Sequence, residues 1–331
     1  MITITDAISW LNQFEPTHLR RPPQALLRHI TNLQTAEDKR RQMINSVIKN
    51  SRGYRDKLEL PELLINIAGL KYRQANYATA KDYASAAVQL FPEESHAQAV
   101  ARWVLGMVAW KLSDARLGYS SWYYAREIFQ VLAEKSGNEG NTQANEWYTE
   151  KLTAMNIDMV CTPEETYAWL DLFEPSHLSK AAKQINDAIL SRMENNQFQD
   201  AYKLIEDMKT LGRNSEDHIE EAEVLVECGL AVFHMGNVNE AVRLLQGALS
   251  KFTEESHHQA ICRWLLGVVQ WESPEKHNQA IMNWERCLEQ IQDLAARSDQ
   301  QNRQARRKWY EARREIMTEA LNQKIKERLD A

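Results

Sequence analysis

Two stretches of this sequence occur twice. Ser9-Trp-Leu-Asn-Gln-Phe-Glu-Pro-Thr-His-Leu19 returns as Ala168-Trp-Leu-Asp-Leu-Phe-Glu-Pro-Ser-His-Leu178. Phe91-Pro-Glu-Glu-Ser-His-Ala-Gln-Ala-Val-Ala-Arg-Trp-Val-Leu-Gly106 returns as Phe252-Thr-Glu-Glu-Ser-His-His-Gln-Ala-Ile-Cys-Arg-Trp-Leu-Leu-Gly267. All ten tryptophans pair at nearly the same interval: Trp10/169, Trp103/264, Trp110/271, Trp122/284 and Trp147/309. Self-similarity at a fixed interval is the strongest constraint a sequence offers on architecture. It implies two like halves, residues 1–160 and 161–331, and it makes the tryptophans architectural before anything else.

The composition narrows the fold class. Gly and Pro number 11 and 8 in 331 residues, roughly half of average usage (~12%). A chain so poor in turn-makers is not a sandwich or barrel, and the expectation is all-α. The longest apolar run, Trp103–Trp110, is far short of the ~18 residues a membrane span needs. No N-terminal stretch has the pattern of a signal peptide, so the expected location is cytoplasmic. Cys161, Cys228, Cys262 and Cys287 form no C-x-x-C pair and no zinc spacing. Cys262 and Cys287 match Ala101 and Ala125 of the first half, which makes them small packing groups.

Within each half a shorter period emerges. Residues 61–92 form two amphipathic helices joined at Ala75-Asn76, with small residues at Ala68, Ala80 and Ala87, Tyr77 opening the second helix, and Pro92 closing the unit. Gly229, Asn237, Val238, Ala241 and Ala248 repeat the pattern. Hairpins follow at Gly106, Gly118, Trp122 and Ala125, and at Gly267, Ala280, Trp284 and Cys287. A weaker one stands around Ile189, Phe198, Ala201 and Ile205. This resembles the tetratricopeptide (TPR) repeat, slightly lengthened to 38 residues, over about 61–130 and 180–292. The resemblance implies an α-solenoid in two tandem homologous halves, the second closed by a C-terminal capping helix. Polar Lys135–Thr142 reads as a loop, and Ile157–Pro163 as the junction.

No phosphate loop, nucleophile elbow, zinc-protease motif or EF-hand run is present. Glu93-Glu94 and Glu254-Glu255 adjoin helix starts, where acidic groups meet the macrodipole favourably. Paired His18/His177 and His96/His257 stand beside capping sequences, and read as capping or packing groups. The expectation is therefore a protein that is not an enzyme and has no metal or cofactor. TPR-like arrays bind a peptide or helix along the first helices of their hairpins. By position, that groove comprises Tyr72, Arg73, Trp103, Met107, Trp110 and Lys111, then Phe233, His234, Trp264 and Trp271. Its apolar, aromatic character suits a partner helix, and suits self-packing equally. The resemblance implies a scaffold, adaptor or regulatory subunit, with a bacterial effector enzyme as one class of partner.

Charge distribution supports an alternative. Residues 1–60 and 297–331 each carry ten Lys/Arg against six Asp/Glu, and the body between them carries 20 against 34. Arg20, Arg21, Arg28, Lys39, Arg40, Arg41, Lys49, Arg52, Arg55 and Lys57 could bind nucleic acid if they shared one face, as could a C-terminal helix bearing Arg303, Arg306, Arg307, Lys308, Arg313 and Arg314. The acidic body opposes this, and Glu37–Arg41 reads as a solvated helical face.

Overall fold

The computed structural model describes residues 2–31, 37–52, 54–112, 114–173, 175–195 and 197–329; at 28–31, 37–41, 43, 115 and 194 the backbone alone is described. The described residues are helical with no strand, and they divide into two compact units, Met1–Asn156 and Ile157–Ala331.

The first unit contains α1 (Ile4–Ser9), α2 (Arg21–Thr31), α3 (Glu37–Arg52), α4 (Glu59–Arg73), α5 (Tyr77–Leu90), α6 (His96–Lys111), α7 (Ala115–Asn138) and most of α8 (Thr142–Met159). In the second are α9 (Pro163–Tyr167), α10 (Lys180–Glu194), α11 (Phe198–Arg213), α12 (His218–His234), α13 (Val238–Lys251), α14 (His257–Trp271), α15 (His277–Gln300) and α16 (Gln304–Leu329). The architecture is all-α, built of successive helical hairpins.

Local chemistry sets the helix starts. Ser95 and Ser256 accept from the backbone N–H of Gln98 and Gln259, and Asn76 and Asn237 do the same for Thr79 and Glu240. Each bond satisfies an N–H that has no intrahelical partner, and is worth about 1 kcal/mol. The turn before Asn76 places Ala75 at φ 56°, where the other unit uses Gly236 at φ 83°.

Small residues then let the hairpins close. Ala68, Ala80, Ala84 and Ala87 are fully buried between α4 and α5. Trp122 lies on Gly106 and stacks on Trp103 at 4.5 Å, while Trp284 lies on Gly267 beside Trp264 at 5.4 Å. Each of these outer indoles donates to a carbonyl of the inner helix, Trp122 to Trp103 (3.0 Å) and Trp284 to Trp264 (3.1 Å). Truncating the buried Trp284 costs about 3–5 kcal/mol.

Three local expectations change. Residues 135–138 continue α7, and the chain turns only at Gly140, whose φ is +73°; Gly137 alone does not break a helix. The junction is shorter than 157–163, because α8 runs to Met159 and Thr162 already caps α9. Residues 1–60, where the repeat pattern is faint, nonetheless hold the hairpin α2/α3, packed on α4 through Leu19, Leu26, Ile44, Leu63, Ile67 and Leu70.

Candidate interaction surface

The ten groove positions separate into floor and edge. Trp103 and Trp264 are fully buried and Met107 nearly so; they are core, and no partner reaches them without opening the fold. In the second unit the chain itself covers this face. The Val160 carbonyl accepts from Trp264 Nε1 (2.8 Å), Tyr167 donates to Glu227, and Glu164 lies 3.2 Å from His234. Phe233 and the half-buried Trp271 join the same core, with Trp271 stacked on His277 at 3.9 Å and Lys324 Nζ 5.8 Å from its ring.

The Glu164–His234 contact has ion-pair length without hydrogen-bond geometry. Burial pushes the Glu164 carboxyl up to about 7 and the His234 imidazole down to about 4. Burial thus favours the neutral form of each group between those limits, where the carboxyl carries the one titratable proton of the pair.

The first unit has the matching segment. Here α1 packs against both α4 and α6, with Ile8 on Gly69. Tyr72 is half-buried against Tyr77 (5.3 Å), and Trp110 is half-buried against Trp122 and Gly118. Arg73 and Lys111, in the last turns of α4 and α6, are exposed, as is Leu112 after Lys111. Tyr72 and Trp110 are thus half-buried, as are the matched Phe233 and Trp271, while Arg73 and Lys111 are exposed where the second unit has half-buried His234 and exposed Glu272.

The paired histidines act over long distances rather than as caps. His96 Nε2 is 2.7 Å from the Trp10 carbonyl and its Nδ1 is 3.1 Å from the Tyr148 hydroxyl. His257 makes the same two contacts with Trp169 (2.8 Å) and Tyr310 (3.1 Å). Burial lowers the pKa of His96 and pushes the Tyr148 phenol up to about 12. Each histidine ties the segment before the hairpins to the helix after them. His18 and His177 pair with Asp56 and Asp217, both at 2.8 Å. Burial opposes charge on His18, but the Asp56 carboxylate outweighs it and raises the pKa.

Carboxylates that sequence reasoning passed over complete these anchors. Glu62 accepts from Thr17 Oγ1 and the His18 N–H; Glu223 accepts from Ser176 Oγ and the N–H groups of His177 and Leu178. Glu59 takes Arg20 and Ser51, and Glu220 takes the Ser179 N–H and Ser215. The signal was present: Glu62/223, Glu59/220 and Asp56/217 all pair at the interval of 161.

A cavity of about 450 Å³ adjoins His96, lined by Phe14, Glu15, His18, Glu62, Ala97 and Tyr148 among others. A smaller hollow, about 310 Å³, lies between Glu93, Glu94, Arg102, Tyr124 and Glu127. Burial pushes the Cys161, Cys228 and Cys262 thiols up to about 12 and raises Cys287 as well. None of the four is a ready nucleophile.

Of the six basic residues expected on the C-terminal helix, three are engaged in its own unit, while Arg303, Lys308 and Arg314 are exposed. Arg306 donates to the Phe173 carbonyl (3.1 Å), the Arg313 guanidinium lies 4.9 Å from the Trp169 ring, and Arg307 bonds Asp299 and Glu311. Arg20 is bound to Glu59. The side chains of Arg28, Lys39, Arg40 and Arg41, and with them the charge run at 37–41, lie outside the described residues.

No protein-family model matches the chain, and no curated protein matches it. Among solved structures, the apo form of the quorum sensor NprR from B. thuringiensis is similar at 11% identity and a TM-score of 0.26, over 89% of this chain and 87% of that one. Among the described residues, no helix is long and apolar enough to cross a membrane.

Proposed function

We propose that the protein is a non-enzymatic interaction module: an α-solenoid of TPR-like hairpins in two homologous halves, serving a partner protein as scaffold, adaptor or regulatory subunit. Supporting the duplication are the matched anchors, in which His96 and His257, Glu62 and Glu223, and His18 and His177 make corresponding bonds. Against catalysis stands the same observation, since the polar groups closest to a chemical constellation are committed to holding segments together.

The reading rests on the exposed C-terminal ends of α4 and α6 in the first unit. Tyr72 and Trp110 offer aromatic surface, Arg73 and Lys111 offer two exposed cations, and Leu112 extends the apolar part. A peptide or short helix carrying apolar groups with one or two carboxylates fits that combination. The test is affinity capture from native cell extract with the intact protein and an Arg73→Glu/Lys111→Glu variant. Both substitutions are at exposed positions and leave the fold intact. The reading expects one specific protein to be lost from the variant; an unchanged partner set, or recovery of nucleic acid in its place, refutes it.

A further inference from the structure

We infer that the second unit binds a divalent transition-metal ion of the zinc class through Asp171, Glu223 and His258. The three come from separate parts of the chain: the turn after α9, the second turn of α12 and the first turn of α14. Each presents one ligand atom, and these atoms all lie within 4.8 Å of one another. A tetrahedral ion with ~2.0–2.2 Å bonds holds its ligand atoms about 3.4 Å apart. Binding therefore draws the three ligand atoms somewhat closer together, and exposed Asp171 is the one not held by burial.

The donor types select the ion. One imidazole with two carboxylates suits Zn²⁺ or its neighbours, whereas Ca²⁺ and Mg²⁺ prefer all-oxygen shells and Cu(I) prefers sulfur. The supporting groups are in place. Glu223 is oriented by the hydroxyl of Ser176 and by the N–H groups of His177 and Leu178, and the His258 ring lies nearly parallel to Phe252 at 5.5 Å. His177 stands beside the cluster, its ring 6.5 Å from that of His258. Buried Glu223 and His258 fix the site, and exposed Asp171 gives it an entrance.

The first unit separates this role from the loop anchor. Glu62 holds its loop just as Glu223 does, yet the matched residues there are Asn12 and Ala97. Ala97 lines the cavity of about 450 Å³. Anchoring the loop therefore requires neither Asp171 nor His258, and the two differences converge on one point.

The experiment uses the full chain, stripped with chelator and titrated with Zn²⁺ by calorimetry, then with Co²⁺ by visible absorption. One ion per chain is expected. Asp171→Asn and His258→Ala, the residue types of the first unit, should each weaken binding by ~10–100-fold or more, a range already reached when only a supporting group is removed. Asp171 is exposed, so its variant keeps the fold, as circular dichroism will verify. Absence of saturable Zn²⁺ binding by the unaltered chain, or binding of undiminished affinity by both variants, overturns the site.

Discussion

Adding one methyl group at Gly267 should destabilise the second unit, while the same change at Gly247 should stabilise it. At Gly267 the new carbon would lie 2.5 Å from Nε1 and 2.6 Å from Cδ1 of Trp284. Ordinary contact begins at 3.4 Å, so the indole must retreat by about 0.9 Å, an overpacking of the kind that costs about 1–3 kcal/mol. Trp284 is 1% exposed, and its N–H is held by the Trp264 carbonyl. Losing that bond adds about 1 kcal/mol, and the better helix propensity of alanine returns about 1 kcal/mol. The net loss is about 1–3 kcal/mol. At Gly247 the methyl would meet only Leu225 Cδ1, at 3.4 Å, so propensity acts alone and gives about 0.4–1 kcal/mol of added stability. Thermal melts followed by circular dichroism should show Gly267→Ala lower by about 2–10 °C and Gly247→Ala higher by about 1–4 °C. A Gly267→Ala variant melting at or above the unaltered protein would refute the packing argument.

Other expectations concern the anchors and the covering segment. Tyr310→Phe leaves the His257 ring without its hydroxyl partner, and should cost about 1–2 kcal/mol in urea unfolding; Tyr148→Phe should do the same in the first unit. His234→Leu isolates Glu164, which keeps a proton up to about 7 when folded against an ordinary 4.5. Stability of that variant should fall as pH rises from 4.5 to 7, by at most about 3 kcal/mol. Glu164→Gln isolates His234 instead, lowered from 6.5 to about 4, so stability should fall as pH drops through that range. With both groups present, folded and unfolded states each hold one proton from about 4.5 to 6.5, and this pair should add no slope to urea midpoints there. Finally, fragments 1–156 and 157–331 should each melt cooperatively. A fragment beginning at 172 lacks Val160, Glu164 and Tyr167, and should melt lower; equal melting points would remove α9 from the core.

Helix starts were legible because a cap is local: Ser95, Ser256, Asn76 and Asn237 bond to residues three positions on. The small-residue and tryptophan pattern was legible because hairpin packing repeats at short intervals, as Gly106 and Gly267 under Trp122 and Trp284 illustrate. The roles of His96 and His257 were not, because the carbonyls of Trp10 and Trp169 stand 86 and 88 residues away in the chain. Trp103 and Trp264 looked like groove residues because the first helix of a hairpin has an inner face and a packing face, and periodicity alone does not say which one a tryptophan occupies. The cover over His234 was hidden for a further reason: α9, which carries Glu164, is five residues long and has too short a pattern to register.

The account rests most heavily on the proposed partner surface at Tyr72, Arg73, Trp110 and Lys111. A photoreactive side chain placed at Lys111, and in a separate protein at the matched exposed position Glu272, tests it directly in native extract. The prediction is a crosslink to one protein from position 111 and none to that protein from position 272. Crosslinks to the same protein from both positions, or to no protein from position 111, would contradict it.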